Sequence, residues 1–296
     1  MKQTVHTVTG AELAHLLPPR ARNTHKGDYG YIAIFGGCIE YSGAVKLANY
    51  SQSALRAGCG VATLAVPETL AGAVAPYLLE STLFRVPDED GHMRFDAEKL
   101  ASLTRGRRAV AVGMGWGRSN ANICILDWLL QHYDGSLVID ADGLWALAEL
   151  GVSRLKSAVC RGIVLTPHSG EFARLTGQTV TEIQADPVNA AGALALESGA
   201  IVLLKGAVTT VTNGREALLV DRGCPGMSTA GSGDVLSGVL AGLLGYLSPT
   251  VEAVALAAYL CGLAGEYAAR DVGEISMLAS DTVAHLAEAI RSLHEN

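Results

Sequence analysis

The residues best placed to do chemistry lie in Ser228-Thr-Ala-Gly-Ser-Gly-Asp234, followed by the apolar run Val235-Leu-Ser-Gly-Val-Leu-Ala-Gly-Leu-Leu244. Small residues allow a tight turn, and the apolar run predicts a buried helix. A loop opening directly into a helix points several backbone N–H groups at one spot, where the helix dipole also favours negative charge, so the segment reads as an anion site. Asp234 sits in the first turn of that helix. A carboxylate there suits the dipole but repels a bound phosphate unless it has another task, and taking a proton from a hydroxyl that attacks the phosphate is such a task. The plainer alternative makes Asp234 a helix cap and Gly231 and Gly233 a simple turn.

Further candidates follow other apolar runs. Asp140-Ala-Asp142 and Thr166-Pro-His168-Ser-Gly-Glu171 supply carboxylates that could hold Mg²⁺ directly or through water; each could equally be a first-turn helix residue. His168, between Pro167 and Ser169-Gly170, is suited to contacting substrate or positioning water. Lys205-Gly206 either lines a nucleotide pocket or forms a solvated turn. Two glycine-rich loops, Gly36-Gly37 through Ser42-Gly43-Ala44 and Gly113-Met-Gly115-Trp-Gly117, permit close backbone approach to a ligand. The second is GxGxG, without the full dinucleotide fingerprint, and no Walker lysine motif occurs.

Strands and helices must present these loops together. Tyr31-Ile-Ala-Ile-Phe35 and Val61 to Val66 read as buried strands flanking a helical stretch from Gly43 to Ala57, a βαβ unit. Short apolar runs recur at Ala109–Val112, Leu137–Ile139, Ile163–Leu165 and Ile201–Leu204, with helical segments between, as in a parallel sheet covered on both faces. Asn213-Gly214, between Thr209–Thr212 and Glu216–Val220, predicts a hairpin and an antiparallel edge. A short amphipathic piece spans Gly10 to Leu17, and a last helix runs from about Ser280 to Leu293. The expected class is α/β, with ligands bound at the strand ends. With no linker, repeat or low-complexity tract, residues 1–296 read as one domain.

Composition narrows the partners. Hydrophobic residues make up 49% and charged residues 17%, ample for a core, and a net charge of -7 argues against a nucleic-acid surface. Six scattered cysteines without close spacing suggest neither a zinc site nor a disulfide framework, and fit reduced cytoplasmic thiols. The N-terminus lacks signal-peptide character. Ser248-Pro-Thr-Val-Glu252 divides the apolar stretch 235–265 into pieces shorter than the roughly 20 residues a bilayer requires, so buried helices are expected and no membrane partner.

Lys26-Gly-Asp-Tyr-Gly30, Gly36-Gly37, Ser42-Gly43-Ala44, Gly113-Met-Gly-Trp-Gly117, Val138-Ile-Asp-Ala-Asp142, Thr166-Pro-His-Ser-Gly-Glu171, Lys205-Gly-Ala-Val-Thr209 and Thr229-Ala-Gly-Ser-Gly-Asp234 together resemble, in this order, the ADP/ATP-dependent NAD(P)H-hydrate dehydratase family of the ribokinase-like superfamily. The resemblance runs from about residue 10 to 292 and implies a three-layer ribokinase-like sandwich in the stand-alone dehydratase form. It further implies a cytoplasmic repair enzyme that phosphorylates the ring hydroxyl of hydrated NADH or NADPH at the expense of ADP or ATP, with Mg²⁺, after which phosphate leaves and the double bond returns. By motif position Ala44, Gly115, Gly117, His168 and Asp234 would meet the hydrated dinucleotide, with Asp234 as base. Lys205, Gly206, Ala207, Val208, Thr209, Gly231, Ser232 and Gly233 would meet the adenine nucleotide, and Glu171 would serve the metal. A homo-oligomer, a tetramer first, is implied as well. Met114, Trp116 and Ser169 depart from the commoner family residues without removing a polar catalytic group. The runner-up is a small-molecule kinase of the same superfamily, and the third reading a nucleotide-binding protein without turnover.

Overall fold

The computed structural model describes residues 3–49 and 53–295. Its strands are β1 (Thr4–Thr7), β2 (Tyr31–Phe35), β3 (Val61–Pro67), β4 (Thr82–Val86), β5 (Asp88–Glu89), β6 (His92–Met93), β7 (Ala109–Val112), β8 (Ser136–Ile139), β9 (Gly162–Leu165), β10 (Ile201–Leu204), β11 (Thr209–Thr212) and β12 (Glu216–Val220). Ten of them form one sheet in the order β1-β12-β11-β10-β9-β8-β7-β2-β3-β4, while β5 and β6 make a separate two-stranded ribbon. All neighbours in the large sheet are parallel except β11, which runs against both β10 and β12.

Alternation along each strand divides the core in two. Ile32 and Ile34 of β2, Ala109 and Ala111 of β7, and Val164 of β9 face one apolar layer, built with the helices Ser232–Leu244, Val251–Val272 and Ala279–Ser292. Ala33 and Phe35, Val110 and Val112, and Ile163 and Leu165 face the other, under the helices Ala97–Thr104, Asn120–His132, Asp142–Leu150 and Pro187–Ser198. Because successive side chains point to opposite faces, a strand buried on both sides is apolar throughout, which is why these runs lack polar alternation. The result is the three-layer α/β sandwich expected from the sequence.

The Thr209–Thr212 and Glu216–Val220 hairpin forms as expected, but β1 lies parallel along β12 and is the outermost strand. Neither β1 nor β4 stood out in the sequence: β1 is four exposed residues, Thr4-Val-His-Thr7, and β4 is only partly buried. The stretch expected as one helix from Gly43 to Ala57 contains the helices Ser42–Asn49 and Ser53–Arg56, and residues 50–52 lie outside the described residues. The helix Val251–Val272 has 22 residues and is apolar and long enough to cross a bilayer, longer than the sequence suggested. Since 83% of its most apolar window is buried inside the fold, it is a core helix here.

Candidate active site

The helix Ser232–Leu244 begins at Gly231, whose φ of 97° lies in the left-handed region. The turn itself calls for glycine, and a Cβ there would also meet Leu47 Cδ1 at 2.4 Å and Ala279 Cβ at 3.1 Å. No side chain caps this helix. Ser232 Oγ is buried and makes no hydrogen bond among the described residues, a hydroxyl donor from which an anion in the loop would accept.

Beneath the loop lies a charge cluster drawn from four elements. Asp140, at the end of β8, is 2% exposed; its Oδ1 accepts from Lys205 Nζ at 3.0 Å and its Oδ2 from Ser237 Oγ at 2.7 Å. Lys205 Nζ also lies 3.6 Å from Glu171 Oε2. A Cβ on Gly233 would stand in ordinary contact with Lys205 Nζ at 3.4 Å and Asp140 Oδ2 at 3.9 Å, so the helix start lies directly against the ion pair. Burial works against the Lys205 ammonium, but Asp140 and Glu171 outweigh it and hold its pKa above the usual lysine value. Asp234 stands on the other side of this balance. Burial, and then repulsion from Asp140, Glu171 and Asp142, overcome the attraction of Lys205 and raise its carboxyl from 3.8 to about 7. A carboxylate poised near neutrality is what proton abstraction at pH 7 requires.

His168 and Lys205 form an isolated parallel bridge just beyond β9 and β10, and Lys205 N donates to Pro167 O at 2.9 Å. The His168 imidazole is exposed. Its Nδ1 accepts from Gly170 N at 3.0 Å and Glu171 N at 3.3 Å, capping the helix Ser169–Thr176, while Glu171 Oε2 accepts from His168 N at 2.8 Å. Both residues therefore have a capping role beside any ligand role. Gly206, Ala207 and Val208 form an exposed turn leading from Lys205 into β11.

A second feature adjoins the cluster. A cavity of about 690 Å³ is lined by Ala44, Gly115 and Gly117, as expected, and by Glu40, Tyr41, His92, Arg118 and Asp142, which sequence reasoning did not single out for it. Asp142 Oδ2 accepts from Gly117 N at 2.9 Å and Oδ1 lies 3.3 Å from Arg118 Nε, so this carboxylate fixes the glycine loop. Between Asp140 and Asp142, Ala141 holds a φ of 47°, a strained conformation that sends the two carboxylates to different tasks. Gly113 admits the same turn: a Cβ there would lie 1.8 Å from Asp140 O. Met114 and Trp116 are wholly buried; Trp116 packs edge-on against Phe35 at 5.7 Å and its Nε1 donates to Met93 Sδ at 3.0 Å. These two departures from the family pattern support the loop from behind.

The chain has an α/β fold of the ribokinase-like kind, with a glycine-rich loop at a helix start and a carboxylate in that helix's first turn. A protein from Enterococcus faecalis described as ribokinase-like aligns over 99% of this chain and 98% of its own with a TM-score of 0.83 at 22% identity, a likeness of fold. The chain belongs to the NAD(P)H-hydrate dehydratase family, whose sequence profile matches residues 32–288. It is 39% identical, over 97% of its length, to the bifunctional NAD(P)H-hydrate repair enzyme Nnr of Moorella thermoacetica, of which it covers 54%. The chain thus spans about half the length of such bifunctional relatives. It is 32% identical to the ADP-dependent (S)-NAD(P)H-hydrate dehydratase of Neisseria meningitidis serogroup B, covering 92% of that protein and 96% of itself. The crystal structure of the ADP/ATP-dependent NAD(P)H-hydrate dehydratase from Bacillus subtilis, co-crystallised with ATP and Mg²⁺, aligns with a TM-score of 0.84 at 28% identity over 96% of this chain and 97% of that one.

Proposed function

We propose that this chain restores NADH and NADPH from their hydrated S forms by phosphorylating the ring hydroxyl with ADP or ATP and then eliminating phosphate. The observation that carries the reading is Asp234, held near neutral pKa at the start of an anion-loop helix, next to the cavity that Asp142 and Gly117 border. In this reading the dinucleotide occupies the cavity of Ala44, Gly115 and Gly117, with its ring toward Asp234. The nucleotide phosphates meet the Gly231-Ser232-Gly233 turn, and Lys205 to Thr209 flank the nucleotide. Asp234 accepts the hydroxyl proton as the oxygen attacks phosphorus and the terminal P–O bond of the nucleotide breaks. In the second step the ring C–O bond breaks, phosphate takes the electron pair, a proton leaves the neighbouring carbon, and the double bond forms.

The donor set suits Mg²⁺, which takes hard oxygen ligands and keeps waters and substrate phosphates in its shell. Both Asp140 oxygens are committed to Lys205 and Ser237, whereas Glu171, whose Oε2 accepts from His168 N, keeps Oε1 for a water of the Mg²⁺ shell. The ion would neutralise charge developing on the phosphates. Lys205 adds a fixed positive charge whose position Asp140 and Ser237 secure. One sheet running from β1 to β4 supports reading the chain as a single domain; cytoplasmic residence and assembly into a homo-oligomer, a tetramer first, belong to the same proposal.

The test is incubation with hydrated NADH or NADPH and ADP or ATP while the dihydronicotinamide absorbance is followed. Recovery of absorbance with one nucleotide consumed per ring restored is expected. Nucleotide consumption that yields a stable phosphorylated small molecule, without ring recovery, would favour the small-molecule kinase instead.

A further inference from the structure

The described residues contain one grouping of metal-ligating side chains that the proposed reaction leaves unused: Cys38, Glu40 and His92, whose ligand atoms all lie within 4.8 Å of one another. Two come from the loop after β2 and one from the β5–β6 ribbon, so sequence spacing gave no sign of them. The two segments are already fastened together. Ile39 N donates to Gly91 O at 3.2 Å, Gly37 N to Met114 O at 2.9 Å, and Tyr41 N to Cys38 O at 3.1 Å. Asp88 Oδ2 accepts from Gly91 N at 3.0 Å and holds the ribbon turn. The ligands therefore stand on fixed backbone.

The three side chains also converge. Cys38 Sγ lies within 4.8 Å of both a Glu40 carboxylate oxygen and a His92 ring nitrogen, and His92 Nε2 lies 3.5 Å from Glu40 Oε1. Two ligands of one tetrahedral zinc, with bonds of about 2.0–2.3 Å, stand roughly 3.3–3.7 Å apart. Glu40 and His92 already meet that separation. Gly117 keeps open the space the thiol must use: a Cβ there would lie 3.3 Å from His92 Nδ1 and 3.4 Å from Cys38 Sγ. Glu40 and His92 both line the 690 Å³ cavity together with Gly115 and Gly117.

We propose that Cys38, Glu40 and His92 form a three-ligand site for a borderline transition metal, Zn²⁺ first, on the wall of the dinucleotide cavity, and that its occupancy blocks that cavity. A thiolate, an imidazole and a carboxylate select Zn²⁺ or Co²⁺ over Mg²⁺, and the fourth position faces the cavity, open to water. On binding, the thiol releases its proton to solvent. The ion cross-links the loop after β2 to the ribbon and narrows the space beside Gly117. The metal site stands on these residues alone; the inhibition rests on the proposed placement of the dinucleotide.

The experiment uses the untagged full chain in a Cys124→Ser background, which removes an exposed thiol. Co²⁺ is titrated without substrate and followed by the near-ultraviolet thiolate-to-metal charge-transfer band, and Zn²⁺ affinity is measured by competition with a chromophoric chelator. One Co²⁺ per chain with that band is expected, the band being lost in Cys38→Ser and the Zn²⁺ affinity falling at least tenfold in His92→Gln and Glu40→Gln, which change exposed side chains. Absence of the band, or its survival in Cys38→Ser, overturns the site. Should Cys38→Ser fail to fold, unchanged Zn²⁺ affinity in both other variants overturns it equally. Zn²⁺ inhibition competitive with the hydrated dinucleotide is the expected kinetic result; stoichiometric metal binding without inhibition overturns the blocking role and leaves the metal site.

Discussion

At the scale of single residues, Asp234 is set by an uneven balance: burial and three carboxylates raise its pKa while one ammonium lowers it. Its ionised form is the base, so kcat/KM should fall below an acid limb near pH 7, and Asp234→Asn should lose on the order of a hundredfold or more of turnover above that limb and show no limb of its own. Lys205→Met should move the limb up and Asp140→Asn should move it down, because the first removes the attraction and the second the strongest charge repulsion. Limbs that stay in place in both variants would separate Asp234 from the cluster. Stability supplies a second readout with a definite sign. A carboxyl whose folded pKa lies above its unfolded value contributes stability below about pH 4 that is lost as pH rises toward 7, so Asp234→Asn should be more stable than the parent above pH 7, by on the order of 2 kcal/mol for a half-buried side chain. A variant that melts early at pH 8 yet turns over normally would reduce Asp234 to a structural carboxylate in the first turn of its helix. The base was legible in the sequence because its turn is local. Asp140 was legible only as a candidate ligand, and Ser237 not at all, since Asp140 meets Lys205 across 65 residues and Ser237 across 97.

At the scale of elements, strand ends do the positioning. β8, β9 and β10 are neighbours, so Asp140, His168 and Lys205, which directly follow or lie just beyond them, arrive side by side. These strands were readable from their unbroken apolar runs. β1 escaped because four exposed residues carry no burial pattern, and the β5–β6 ribbon because two-residue strands are smaller than any periodicity can show. The capping geometry of the helix Ser169–Thr176 gives His168 two separable roles. His168→Asn keeps a cap and should cost little stability, whereas His168→Ala should lose about 1 kcal/mol. Both should weaken use of the hydrated dinucleotide more than binding of the adenine nucleotide. Separate titrations check this; equal loss of both affinities would place the imidazole outside the dinucleotide subsite and leave it a capping residue.

Across the whole molecule, the two apolar layers hold one sheet rigid while the ligand-facing loops gather at one edge of it, so binding should register as global stability. In the proposed reading Mg²⁺ and ADP or ATP would bind the folded chain at loops from β8 to β12 and at the start of the Ser232–Leu244 helix, elements that the unfolded chain does not bring together. At nucleotide one hundred times its Kd, linkage adds about 2.7 kcal/mol. For a chain of this size that is roughly 5–10 °C in Tm, at 2–4 °C per kcal/mol. Excess EDTA should remove most of the shift and abolish turnover while leaving the Tm of the Mg²⁺-free protein unchanged, because in the proposed reading Mg²⁺ would be held by the phosphates and Glu171. Lys205→Met should lose the shift even with Mg²⁺ present, whereas a change in the dinucleotide cavity, Ala44→Leu, should retain it and lose turnover. A full nucleotide shift in EDTA, accompanied by full activity, would show that Lys205 and the anion loop neutralise the transferred phosphoryl group unaided, and would return Glu171 to its helix-capping role.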